Sequence, residues 1–355
     1  MSAVSSTRRV LVSACFGALT LGLVACKKSS PVSGLGASAT PSAASSSEAA
    51  PGPLRIAYSD WPGWVAWEIA LKKGYFKDEG VDVSFVWLQY VPSIEAFSEG
   101  KVDAVCMTNG DALVAGSSDS ASVGILINDY SNGNDMVVAK PGLDGVAALK
   151  GKKIGVEVGF VDHLLLMEAL KSAKLSESDV TIVNTKTEQT PALLQSGGAD
   201  AIAAWQPNSG RALDDVPGSK PIFTSANVPG LIYDLLFVNK KSLGARRSDW
   251  VKVVKVWFKV ADFISDPAHQ AEAAQIMGAR VGLAPEKYAK LMAGTRLLGA
   301  DENRKRYQKT ADFGSVQGSS EIVDRFNVGN HVYKESLPVD PYFDGSLVEQ
   351  AVSGK

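Results

Sequence analysis

Six short segments carry the side chains from which a binding chemistry could be built. They are Ser59–Trp64, Thr108–Asp111, Asn128–Asp135, Gly159–His163, Trp205–Asn208 and Tyr233–Asp234. Together they hold Asp60, Asp111, Asp129, Asp135, Asp162 and Asp234, and no Lys or Arg. They also hold Trp61, Trp64, Phe160, Trp205 and Tyr233, whose flat faces offer apolar area and attract cations through the ring quadrupole. Carboxylates beside aromatic faces suit a cation or a donor-rich neutral solute, such as a guanidinium, an amine or a urea-like compound. Asp162, at the start of an expected helix, would repel an anion placed there. Cap and turn roles for these aspartates compete with that reading. The candidate ligand contacts are Asp60, Trp61, Trp64, Thr108, Asn109, Asp129, Asn132, Phe160, Asp162, His163, Trp205, Gln206, Tyr233 and Asp234. Trp67, one helical turn beyond Trp64, reads as core instead.

Signals for catalysis are weaker. The three histidines, His163, His269 and His331, have no metal-ligand spacing, and neither HExxH nor GxSxG occurs. The stretch Gly145 to Lys152 has the wrong spacing for a P-loop. His163 beside Asp162 is the sole acid/base candidate. No catalytic residue, metal or cofactor is expected.

These segments need a scaffold. From Leu54 onward, apolar runs at 54–59, 81–88, 104–108 and 123–128 alternate with helical stretches at 63–74 and 91–98, which argues for βαβ units and a parallel sheet. The pattern recurs. Ile154-Gly155-Val156 follows Ile56-Ala57-Tyr58, Val180-Thr181-Ile182 follows Val81-Asp82-Val83, and Gly197–Ile202 follows Gly100–Val105, at offsets of 97 to 99 positions. Two lobes on one plan are expected, with the loops after equivalent strands facing each other across a cleft. The pairs are 59–63 with 159–163 and 108–111 with 205–208. Segments 132–141 and 233–240 should cross between lobes, and helices follow at 248–265, 268–279, 285–292 and 319–335.

The 355 residues are 45% hydrophobic and 21% charged, with net charge -2. This is globular composition without the basic excess of a nucleic-acid binder. Arg8 and Arg9 precede an uncharged run, Val10–Ala25, that fits a secretory leader and is short for a membrane span. It ends Leu23-Val24-Ala25-Cys26, which resembles the bacterial lipobox and implies lipidation of Cys26. Of residues 29–53, 21 of 25 are Ser, Ala, Pro or Gly, the composition of a flexible linker. Cys106 would then be the only cysteine in the folded part, so no disulfide within the folded chain is expected, and its apolar neighbours make it a core residue.

The runs Lys73-Gly74-Tyr75-Phe76-Lys77-Asp78-Glu79-Gly80-Val81-Asp82-Val83 and Leu149-Lys150-Gly151-Lys152-Lys153-Ile154-Gly155-Val156, with the Gly-x-x-Asp-Ala pieces at Gly100 and Gly197, resemble the extracytoplasmic solute-binding proteins of ABC importers. The similar branch is that of nitrate, taurine, aliphatic sulfonates and thiamine-pyrimidine precursors. The resemblance covers about 54–345. It implies an α/β fold of the two-lobed periplasmic-binding-protein type (type II-like), each lobe a mixed, mainly parallel sheet flanked by helices. It also implies hinge closure on one small nitrogen- or sulfur-containing solute, delivery to an inner-membrane permease with a cytoplasmic ATPase, and an extracytoplasmic, lipid-anchored monomer. The expected layout is leader 1–25, lipid-anchored linker 26–53, first part of lobe 1 at 54–136, lobe 2 at 137–237, and helical segments 238–355 completing lobe 1. A pyrimidine-precursor synthase on the same fold and a ligand-sensing receptor subunit are the alternatives.

Overall fold

The computed structural model describes residues 52–118, 120 and 122–354. The leader, Cys26 and the linker as far as Pro51 lie outside the described residues. No described helix is long and apolar enough to cross a membrane.

Among the described residues, eleven strands form two sheets. In the first half of the chain come β1 (Leu54–Tyr58), β2 (Val83–Trp87), β3 (Ala104–Thr108) and β4 (Ser122–Ser131). Next come β5 (Asp135–Ala139), β6 (Lys153–Val156), β7 (Thr181–Asn184), β8 (Ala201–Trp205) and β9 (Lys220–Thr224). The chain then returns as β10 (Tyr233–Asn239), and β11 (Thr295–Leu297) adds an edge. The sheet orders are β11-β4-β10-β3-β1-β2 and β7-β6-β8-β5-β9.

The internal repeat is real and more specific than the sequence pattern required. In each lobe two βα units pair parallel onto a central strand, β1 or β6. An antiparallel strand then follows, β10 beside β3 and β5 beside β8. Parallel pairing therefore stops at β3 and β8, and the sheets are less parallel than expected. The segments read as crossings are themselves these antiparallel strands. Each lobe receives its strand from chain that has just left the other lobe. Residues 233–237, expected in lobe 2, belong to the sheet of lobe 1.

The Gly-x-x-Asp-Ala pieces have a mechanical reason. Gly100 and Gly197 take positive φ, 71° and 84°, where the preceding helix ends, a conformation glycine adopts without steric cost. Three residues on, the Asp carboxylate reaches sideways. Asp103 Oδ2 accepts the Arg55 N–H at 2.9 Å, and Asp200 Oδ2 accepts the Lys153 N–H at 2.9 Å. Each bond ties the first backbone donors of the central strand to the strand laid beside it.

The late helices cover lobe 1. Arg247–Ser265 buries Trp250, Trp257 and a valine face, and the Trp257 ring lies 4.8 Å from that of Trp67, which is fully buried as expected. Leu71, on the same helix as Trp67, is exposed. Cys106 is buried in β3 and burial raises its thiol pKa, which leaves it inert as a nucleophile.

Replacing Asp103 or Asp200 by Ala removes one charge-assisted bond at a half-open site, so each variant is expected to lose about 1 kcal/mol. The two sites are far apart, and the double variant should lose about the sum. Chemical denaturation of the three variants checks this.

Candidate functional site

Four of the facing loops converge on one small, narrow cavity between the two sheets. Lobe 1 contributes Trp61, Trp64, Tyr90 and Thr108, and lobe 2 contributes Asp135, Val161 and Trp205. Ile232 and Asp234 close it where the chain returns to lobe 1. The pairing of loops 59–63 with 159–163 and 108–111 with 205–208 is thus seen in the fold.

The aromatic wall is continuous. Trp64 stacks on Tyr90 with centroids 5.3 Å apart, Trp61 meets Trp64 edge-on at 6.4 Å, and Tyr90 meets Trp205 edge-on at 5.3 Å. The last contact spans the cleft. Pro62 at the first turn and Gly63 after it let this wall approach β4. A Cβ on Gly63 would fall inside the Asp129 carboxylate, whose Oδ1 accepts the Trp61 Nε1–H at 3.0 Å.

The carboxylates follow from strand register. Thr108, Asp234 and Asp129 sit side by side across β3, β10 and β4. Asp135 sits beside Trp205 across β5 and β8. Asp135 and Asp234 stand 99 positions apart, near the starts of the two exchanged strands, so they are equivalent positions of the repeat that meet at one cavity. Asp162 lies in the first turn of the helix Val161–Ser172 and is fully buried. Asp111 accepts the Tyr90 hydroxyl at 2.5 Å, and its own N–H is capped by Thr108 Oγ1 at 3.0 Å.

Burial pushes every one of these acids up: Asp111 and Asp135 to about 7 and Asp129 to about 8. Asp162 and Asp234 rise further, by burial and then by the charges of their acidic neighbours. Among the described residues none of the five pairs with Lys, Arg or His within 4.0 Å. Asp135 Oδ2 and both Asp162 oxygens have no hydrogen-bond donor, while the neighbouring Asp129 and Asp234 carboxyls share a proton between them.

Other candidates lie elsewhere. Asp60 and Gln206 line a wider groove outside the cavity, with Arg211, Arg280, Lys287 and Lys290, so the cleft mouth holds the basic residues that the inner loops lack. Burial raises Asp60 to about 6. Asn109 is held by structure: its amide donates to Ser319 Oγ and Ser320 Oγ at 3.2 and 3.1 Å, and its carbonyl accepts the Tyr233 N–H. Tyr233 points its hydroxyl at the Phe313 carbonyl, 2.8 Å away. Phe160 and His163 line an adjoining crevice with Asn109, which shares Thr108, Val161 and Ile232 with the cavity, and burial lowers the His163 pKa. Asn132 is exposed, in the turn between β4 and β5.

Tyr90 and Asp135 complete the wall, and neither was among the candidate contacts. Tyr90 follows the carboxyl end of β2, where the strand-end rule already pointed; Asp135 is linked to Asp234 by the repeat offset.

Residues 47–278 match the NMT1-like family. A Brucella abortus (strain 2308) protein named as a binding protein is 27% identical over 215 residues, 59% of this chain and 66% of the relative, just under two thirds of its length. A Bacillus subtilis (strain 168) protein named as an aliphatic sulfonates-binding protein is 26% identical over 256 residues, 69% of this chain and 76% of the relative. Among solved structures, the periplasmic aliphatic sulphonate binding protein SsuA of Escherichia coli superposes with a TM-score of 0.68 at 17% identity, over 82% of this chain and 92% of that one. The desulfurization enzyme DSZB superposes with a TM-score of 0.61 at 14% identity, over 84% of this chain and 99% of that one, so the fold is shared by binding proteins and an enzyme. Two matched sheets with exchanged strands, a cavity between them and a family match over most of the folded part agree: the chain belongs to the NMT1-like family and has the periplasmic-binding-protein fold.

Proposed function

We propose that the protein is the extracytoplasmic solute-binding component of an ABC importer, closing its two lobes on a small solute and delivering it to a membrane permease. The observation that carries this is the inter-lobe cavity, walled by both lobes. Trp205 touches Tyr90 across it, and on the outer rim Lys287 Nζ lies 3.0 Å from Asp214 Oδ2, an exposed pair that bridges the lobes. The names of the sulfonate-binding relatives support a small solute and a transport role. An enzyme is less well supported: among the described residues the one free thiol is buried and inert, and His163 is not part of the cavity wall. Cys26 would hold the protein at a membrane surface, the linker giving the lobes reach of roughly 25–30 Å.

The crossing segments suit a hinge. Ser225 Oγ bonds Ser131 Oγ at 2.6 Å and accepts the Gly133 N–H at 2.7 Å, which pins the outgoing and returning chain together. Bending at such element ends moves the lobes without breaking either sheet.

Mass spectrometry of the solute released from the purified protein, followed by uptake of that solute in a strain lacking the gene, tests the reading. Loss of uptake is expected; conversion of the solute by the protein alone would overturn it. Trp205→Ala should raise the dissociation constant at least tenfold, mainly through faster release, because it opens the wall on the lobe 2 side. Cys26→Ala is expected to move the protein from the membrane to the soluble fraction on cell fractionation.

Closure also sets a pH dependence. The folded pKa values of Asp111, Asp129 and Asp135 stand above the ordinary carboxylate value. The folded solute-free protein therefore binds more protons than the unfolded chain between about pH 4 and 8, and its stability falls as pH rises through that window. Melting temperature of solute-free protein should drop from pH 5 to pH 8, and Asp129→Asn with Asp135→Asn should flatten the profile.

A further inference from the structure

We propose that the solute is a small organic cation rich in N–H donors, of the guanidinium or short alkylammonium class. This deepens the solute-binding reading and rests on it. Asp135 and Asp234 line the cavity from opposite lobes, each 2% exposed; Asp135 Oδ2 has no hydrogen-bond donor, and Asp234 has only the neighbouring Asp129 carboxyl with which to share a proton. A buried acceptor left without a donor is costly, and a carboxylate more so than a neutral group. Asp129, beside Asp234 in the sheet and outside the cavity lining, adds a further buried acid. Four aromatic rings, Trp61, Trp64, Tyr90 and Trp205, line it beside Thr108, Val161 and Ile232, and favour a delocalised or alkylated cation over a strongly hydrated one.

Two other classes fit less well. Among the described residues no three His, Cys, Asp or Glu side chains converge as a metal ion would require. A sulfonate or nitrate would face the carboxylates with no cationic side chain in the cavity wall to meet it. Trp64 Nε1 is the one lining donor without a partner, which a neutral solute such as urea would satisfy, so urea belongs among the probes.

The acids around Asp234 add a signature that a neutral solute lacks. Asp129, Asp135, Asp111 and Asp162 act on it or on one another, with Glu157 behind Asp111 and Asp162, and Tyr90 and Tyr288 are the phenols packed nearby. A cation entering this group displaces protons that burial holds there at neutral pH, so binding tightens as pH rises and releases protons.

Titration calorimetry of the full protein, stripped of solute by unfolding and refolding, would use guanidinium, methylammonium, urea, taurine and nitrate at pH 6 and pH 8, each in two buffers of different ionisation enthalpy. Guanidinium or methylammonium is expected to bind, at least tenfold tighter at pH 8, with a heat that depends on the buffer. Asp234→Asn and Asp135→Asn should each weaken that binding at least tenfold while keeping a cooperative melt. Should either variant not fold, proton release by the unaltered protein decides. Absence of response to both cations overturns the proposal, as does cation binding without proton release. Binding of taurine, nitrate or urea alone would overturn the cation class and leave the solute-binding reading standing, which the uptake strain tests separately.

Discussion

Desolvation of carboxylates is the constraint on which the rest of this structure depends. A charged acid taken out of water must find donors, find a counter-charge, or hold its proton. Asp111 has found donors, in Tyr90 and in its place in the first turn of the helix Asn109–Gly116. Asp129 has found one, Trp61. Asp135, Asp162 and Asp234 have found few or none, and burial raises all three. Nothing in either lobe alone forces this crowding. It arises because both lobes bring an acid from the same point of a repeated plan to one place, so the electrostatics of the cavity belong to the closed pair of lobes.

The scaffold makes that meeting accurate. Register fixes Asp234 between Thr108 and Asp129, and Asp135 beside Trp205, and a one-residue slip would turn each side chain to the other face of its sheet. The aromatic wall is held as firmly. Gly63 lets Trp61 and Trp64 close over Asp129, and the helix Arg247–Ser265 backs Trp67 behind them. Small residues and serines at the crossings, by contrast, hold the two passing chains by a few short bonds.

Much of this was legible in the sequence. Apolar runs gave β1, β2, β3 and β4, the repeat placed β6 and β8, and the repeated Gly-x-x-Asp-Ala pieces marked where a helix ends and a central strand is tied. Trp61, Trp64, Thr108, Trp205 and Asp234 were found because they sit at strand ends, where open α/β sheets place ligands. Asn109, Tyr233 and Phe160 occupy the same loops yet do not line the cavity, since residue type and loop position do not tell which way a side chain turns. The antiparallel strands were read as mere connections because a chain leaving one sheet and entering another carries no local signal of its new partner. Tyr90 was passed over because the run before it was judged by its apolar content and its end was not followed into the helix.

The exchange of strands has a further consequence for how the chain is assembled. The second sheet is built from one uninterrupted stretch, Asp135 to Thr224, whereas β3 acquires its neighbour β10 only after that whole stretch has been made. A chain emerging from its amino end therefore carries β3 with one open edge for more than a hundred residues, a strand able to pair with the wrong chain. Lobe 2 can finish first, and its completion hands β10 back to seal that edge. The later-made half thus acts as the template that ends the vulnerability of the earlier one, and the order of manufacture runs opposite to the order of completion.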